Sequence, residues 1–227
     1  VNRNYYNGGL DAVPLPHQQE PLAFGTRPDD DRWTAFVGGT RMAFISVQAD
    51  EAEYYTKIES KQEQTELAQS LPSVGDSSKS NKREAETVAR LVHTLCQLHS
   101  RSGIPFSPCK QIGIIVPFRA QIAMIRKALA ERHIPDTADI TIDTVERYQG
   151  SQRDIIIFST TVSHPYQLSI LSEPIMTDGR EIDRKLNVAL TRARKQFFMT
   201  GNETLLRNCT AYREFLDFLS KEQILRL

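Results

Sequence analysis

The chain has 227 residues, 40% hydrophobic and 25% charged, enough for one substantial core and within the range of ordinary soluble domains. Its 28 Lys+Arg balance 28 Asp+Glu, without the basic excess of a self-sufficient nucleic-acid binder, so any such binding must be local, weak or shared with other sequence. Cys96, Cys109 and Cys209 are odd in number and lack paired spacing, which argues against a disulfide framework or a zinc site and for a reducing, cytoplasmic compartment.

Residues 1–40, where Pro14, Pro16, Pro21 and Pro28 break any period, predict an irregular lead-in. The chain starts at Val1 with no initiator Met and no signal-peptide apolar region, as expected of a piece of a larger polypeptide; no apolar run approaches the ~20 residues that span a bilayer, and no membrane association is expected. Residues 41–227 are predicted to form one domain. Arg41–Val47 is apolar enough for a buried strand, and the polar, Gln- and Ser-rich stretch over residues 50–80 predicts a flexible insertion. Asn81 and Glu84 have capping-box spacing, and Ala85, Val88, Leu91, Val92, Leu95 and Leu98 then recur at helical intervals until Gly103. Ile112–Val116 is a continuous apolar run of the kind found in strands covered on both faces; helical periodicity resumes with Ile122, Ile125 and Leu129. Strands over Ile140–Val145 and Asp154–Val162, a helix over Asp183–Arg194, a strand over Gln196–Thr200 and a helix led by Thr210 complete the pattern. This alternation predicts an α/β fold, a parallel sheet with helices on both faces.

Ligands of open α/β sheets sit beyond the carboxyl ends of the strands, which singles out the segments Pro117–Gln121, Thr144–Asp154 and Arg184–Arg194. In the last, Leu186, Leu190 and Ala193 would bury one face of a helix while Lys185, Ala189 and Arg192 line another. A guanidinium held this way can meet phosphate oxygens through two bonds; equally, such a face can simply be solvated. The Gln149-Gly150 turn is open to two readings as well, since a glycine there can serve only a positive φ. Thr144, Glu146 and Gln152 have the groups to hydrogen-bond a sugar or phosphate, as many functionless loop residues do.

The segment Asp143-Thr144-Val145-Glu146-Arg147-Tyr148-Gln149-Gly150-Ser151-Gln152-Arg153-Asp154 resembles motif V of superfamily 1 helicases, and Leu186-Asn187-Val188-Ala189-Leu190-Thr191-Arg192-Ala193-Arg194 resembles their motif VI. Ile114-Ile115-Val116-Pro117-Phe118-Arg119-Ala120-Gln121 is similar to the preceding block in the 5′-to-3′ branch that holds the nonsense-decay RNA helicases and the nuclease-linked replication helicases. The three stand in family order and spacing over about residues 110–202, and the start of the chain is similar to the segment that follows the family's motif IV arginine.

The resemblance implies a RecA-like P-loop NTPase fold and, for this chain, the second motor domain, without a G-x-x-x-x-G-K-[ST] loop of its own. ATP and Mg2+ would be held mainly by a first RecA-like domain of the same polypeptide, and this chain alone would be inactive. Arg192 matches the arginine that reaches the γ-phosphate, the catalytic position. Gln149, Gly150 and Gln152 match the other ATP-facing positions, Gln152 standing where the family usually has a Glu on the ATP sugar. Arg194 either assists or pairs with an acidic neighbour. Pro117, Phe118 and Thr144 match positions that face single-stranded DNA or RNA, with contacts mainly to phosphate and sugar. The competing expectation is a non-catalytic nucleic-acid-binding or adaptor module that keeps the fold.

Overall fold

Runs such as Ile112–Val116 and Ile155–Phe158 carry no polar face, so they are stable only inside a sheet covered on both sides. A computed structural model, which describes residues 22, 24, 26–47, 79–148, 151–177 and 180–227, provides that cover. In chain order the elements are α1 (Arg32–Gly39), β1 (Met42–Ser46), α2 (Lys82–Arg101), α3 (Pro108–Gln111), β2 (Ile112–Val116), α4 (Arg119–Glu131), β3 (Thr141–Thr144) and β4 (Arg153–Ser159). There follow α5 (Leu168–Leu171), β5 (Pro174–Thr177), β6 (Arg180–Asp183), α6 (Arg184–Thr191), β7 (Ala193–Gly201), α7 (Glu203–Leu206), α8 (Thr210–Phe218) and β8 (Ile224–Arg226).

Six strands form one sheet in the order β3-β2-β4-β7-β1-β8, every neighbouring pair parallel. Side chains alternate across it. Ile112, Ile114 and Val116 of β2 and Ile155 and Ile157 of β4 join a core with α1, α2 and α4, whereas Ile115, Ile156, Phe158, Phe197 and Met199 join a second core with α6 and α8. The fold is α/β and RecA-like, with helices on both faces of a parallel sheet.

Several elements differ from the sequence expectation. The sequence predicts an irregular lead-in, yet α1 forms inside it: Asp31 caps the helix by accepting from the Thr34 N–H at 2.7 Å, and Trp33 and Val37 are buried. The Trp33 indole donates to the Thr94 hydroxyl at 2.8 Å and Arg90 lies over its ring, so a tertiary contact stabilises a helix too short to persist by itself. An antiparallel hairpin, β5–β6, precedes α6, and the short strand β8 extends the sheet beside β1. The rest of the lead-in expectation, and the insertion expected over residues 50–80 except for its last two residues, lie outside the described residues. No helix among the described residues is long and apolar enough to cross a membrane.

Candidate nucleotide and nucleic-acid sites

The parallel sheet has an amino edge and a carboxyl edge, and the predicted site residues divide between them. Pro117 follows the last residue of β2, and Thr144 ends β3 in register with Val116, so both lie on the carboxyl edge. Gln152 precedes β4; Arg192 and Arg194 flank the first residue of β7, which pairs with Arg153 at the start of β4, so these three lie on the amino edge. From Arg153 to Ser159 the strand rises about 20 Å at ~3.3 Å per residue. Pro117 and Thr144, but not Arg192 and Gln152, thus lie on the carboxyl edge where ligands of open α/β sheets sit. Gln149 and Gly150 lie outside the described residues.

At the amino edge, Arg192 is the residue on which α6 stops. Its N–H donates to the Ala189 carbonyl and its own carbonyl accepts from the Arg153 N–H at 3.0 Å, stitching the helix end to β4. The guanidinium is half-buried; Nε donates to the Val188 carbonyl at 3.3 Å and Nη2 to the Thr191 hydroxyl at 3.1 Å. It has no ion pair with a described residue, so a positive charge is oriented by neutral acceptors and left uncompensated, the arrangement that an anion completes. Arg194 donates through Nε to the Gln152 side-chain oxygen at 3.4 Å. The pairing expected of it exists, but with an amide and not with an acid.

The helix expected over Asp183–Arg194 is shorter than its periodicity implied: Ala193 and Arg194 already belong to β7. Ala189 is fully buried with Leu186, while Leu190 and Ala193 are only half-buried, so Ala189 packs into the core and does not line a basic face. The start of α6 is fixed by Asp183, a buried carboxylate that accepts from the Leu186 N–H at 2.6 Å, the Ser172 hydroxyl at 2.6 Å and the Glu173 N–H at 2.7 Å.

At the carboxyl edge Phe118 is buried, and its carbonyl accepts from the Gln121 N–H. Its ring is used in packing, so of the Pro117–Phe118 turn it is the main chain, and not the Phe118 ring, that is available to a ligand. Thr144 is half-buried and accepts through its carbonyl from the Arg147 and Tyr148 N–H groups, closing a helical turn. Partial burial opposes the charge of Glu146, but hydrogen bonds from its own N–H and from Thr144, with Lys185 3.3 Å away, hold its carboxyl below the usual range. Lys185 also donates to the Ile170 carbonyl at 2.9 Å, tying α5 to this turn.

The segment from Thr144 to Arg153 leaves the carboxyl edge through Thr144–Tyr148 and reaches the amino edge at Ser151–Arg153. Its anchor is Tyr148, buried in the second core, whose hydroxyl donates to the Thr141 carbonyl at 3.3 Å. Only a glycine fits beneath it without displacing a neighbour. A Cβ on Gly113 would stand 2.2 Å from the Tyr148 oxygen and 2.9 Å from the Ile156 side chain.

Sequence reasoning missed a buried polar centre behind the carboxyl edge. Asn81 accepts from the Glu84 N–H at 2.9 Å, but the Glu84 carboxylate does not complete the capping box. It is fully buried between the ends of β4 and β7 and accepts from the Ser159 and Thr200 hydroxyls, each at 2.8 Å, and from the Thr161 N–H. Burial pushes its pKa up to about 7 against those hydrogen bonds. The amide of Gln121, at the start of α4, takes the role left vacant: it accepts from the Asn81 N–H at 2.8 Å and donates to the Asn81 carbonyl. Local spacing could not reveal contacts that span 75 and 116 residues of sequence.

Comparison with known proteins adds the family. The family described as AAA domain matches residues 1–204. The chain is 33% identical over 147 residues to the putative helicase MOV-10 of Gallus gallus, covering 63% of this chain and 15% of that protein. It is 34% identical over 103 residues to the DNA polymerase alpha-associated DNA helicase A of Saccharomyces cerevisiae, covering 45% of this chain and 14% of the relative. It is 31% identical over 139 residues to the DNA replication ATP-dependent helicase/nuclease DNA2 of Mus musculus, covering 61% and 12%. The chain thus spans between 12% and 15% of the length of these relatives. With a match across most of its length, a parallel RecA-like sheet and helicase relatives, the chain belongs to the superfamily 1 helicases, as a C-terminal RecA-like domain of their 5′-to-3′ branch.

Proposed function

We propose that this domain is one wall of an ATP-driven motor that couples hydrolysis at an interdomain cleft to movement along single-stranded DNA or RNA and to duplex unwinding. The observation that supports this most is Arg192, whose guanidinium is held by Val188 and Thr191 with no counter-charge among the described residues, at the edge opposite to Pro117 and Thr144. In this proposal a first RecA-like domain, not contained in these residues, supplies the phosphate loop and the carboxylates for Mg2+. The amino edge presents Gln152, Arg192 and Arg194, donors suited to phosphate oxygens and unsuited to a divalent cation. Arg192 reaches the γ-phosphate when the cleft closes, and Gln152 meets the sugar if its amide turns from Arg194.

Closure moves the amino edge, and the Tyr148 segment carries that displacement to the Thr144 turn, where contacts to phosphate and sugar tighten or release regardless of base. A cytoplasmic location is part of the same proposal. The test is single-strand-stimulated ATP hydrolysis by the full-length protein and its Arg192→Ala variant. The motor reading expects turnover in the first and a collapse of turnover in the second with single-strand affinity retained. An unaltered rate in the variant removes Arg192 from the chemistry, and a full-length protein with no stimulated turnover points to the adaptor alternative.

A further inference from the structure

Next to the Pro117 turn, the chain leaving β4 carries an aromatic pair to which the motor reading assigns no role. Tyr166 is 52% exposed, and its ring lies parallel to that of His164, with centroids 5.7 Å apart and planes 10° from each other. The turn that holds it is rigid. Gln167 is buried, and its side-chain oxygen accepts from the Ser163 N–H at 2.7 Å and the His164 N–H at 2.8 Å, while Pro165 fixes the first residue of the turn.

We propose that Tyr166, backed by His164, is a stacking site for a nucleobase of the bound single strand. The proposal rests on reading the carboxyl edge as the strand-facing edge, and it adds a base contact to what is otherwise a phosphate-and-sugar track. Position carries the argument. Strands β3, β2 and β4 are neighbours, so Thr144 and Pro117 stand at the ends of adjacent strands and the Ser163–Tyr166 turn follows, four residues on, from the end of the next one. The turn is tied to both neighbours: Asn81, held by Gln121 at the start of α4, donates to the Ser163 hydroxyl at 3.4 Å, and Lys185 bridges the Ile170 carbonyl to Glu146 beside Thr144.

Chemistry selects the occupant. A flat, exposed ring set among Ser163, His164 and Ser169 offers a π-face in polar surroundings, which suits a base, itself flat and polar at its rim. Arg119, the exposed first residue of α4, supplies a cation on the same edge for the adjoining phosphate. Because Tyr166 is already ordered, stacking needs little further loss of freedom.

The test compares full-length wild type, Tyr166→Ala and Tyr166→Phe for binding to a fluorescein-labelled single-stranded 15-mer, as DNA and as RNA. It is repeated with a set of 15-mers carrying one abasic site at each position in turn. Loss of a base-on-aromatic stack predicts roughly 5- to 100-fold weaker binding for Tyr166→Ala and near-wild-type binding for Tyr166→Phe. One abasic position should weaken the wild type and leave Tyr166→Ala unaffected, a coupling that general damage to the turn would not produce. Binding by Tyr166→Ala within twofold of wild type, or a loss equal at every abasic position, overturns the site. The motor reading is judged separately, by stimulated ATP hydrolysis in the wild type, so the two can fail independently.

Discussion

At the amino edge of the sheet Arg192 and Arg194 stand beside neutral acceptors, whereas at the carboxyl edge Lys185 is paired with Glu146 and the Glu84 carboxylate gathers Ser159, Thr161 and Thr200. The two guanidinium groups of the amino edge thus meet neutral acceptors, although Lys195 and Asp154 pair there at 3.0 Å, whereas Lys185 at the carboxyl edge meets a carboxylate. A polyphosphate carrying several negative charges needs the first kind of surface. In the proposed motor a strand gripped and released at any sequence is better served by the second, where turns, hydroxyls and an exposed ring would make contacts of moderate strength.

The contrast can be broken most directly at Arg192. Its replacement by Ala is expected to lower stimulated ATP turnover by ~10³ to 10⁵ without weakening single-strand binding; a parallel loss of binding would show that the edges are not functionally separate. Next in size is the pH response of the carboxyl edge. The Glu84 carboxyl, at about 7 in the folded protein against an ordinary 4.5, keeps a proton that the unfolded chain releases. Stability should therefore fall as pH rises from about 4.5 to 7, by on the order of 3 kcal/mol, and be level above. Denaturant midpoints across that range should lose this slope in Glu84→Gln; a slope equal to wild type would refute the assignment.

The connection between the edges is tested by Gly113→Ala, whose new methyl group meets the Tyr148 hydroxyl. A loss of roughly 1–3 kcal/mol of stability is expected, with ATP turnover less responsive to single strand in the folded fraction. The smallest effect belongs to Gln152→Glu. A carboxylate facing the exposed Arg194 should add at most about 1 kcal/mol to thermal stability and move the KM for ATP only a few-fold; a large change would mean that Gln152 makes a stronger nucleotide contact than its amide suggests.

Much of this architecture is legible in the sequence where apolar residues repeat. The β2 run and the Ala85-to-Leu98 series of α2 have no alternative but burial, and motifs V and VI mark the residues that end up on either side of the β4–β7 ladder. Other elements depend on distant partners. The helix α1 is held by Trp33 against Thr94, 61 residues away, and β8 is three residues long, below the length at which alternation can be recognised. The β5–β6 hairpin did have a local signal, the Asp178-Gly179 dipeptide between its strands, which was overlooked beside the longer periodic segments. The edge on which Arg192 lies follows from α6 running back along the sheet and stopping at Thr191, a packing outcome that spacing alone does not encode.

The strand order also governs how the domain can be made. Next to the edge strand β8, β1 pairs Met42 with Phe197 of β7 on one side and Phe44 with Ile224 of β8 on the other, so its partners are synthesised more than 150 residues later. Until β7 emerges, β1 has neither neighbour and its apolar residues have no core to enter. The local unit of β2, α4, β3 and β4 can assemble early, but the sheet closes across its centre only when the last strands arrive, a long-range step that is slow in entropy terms and leaves strand edges open meanwhile. The helix that ends at Arg192 leads directly into β7, so the amino edge around Arg192 is among the last features of the domain to take shape.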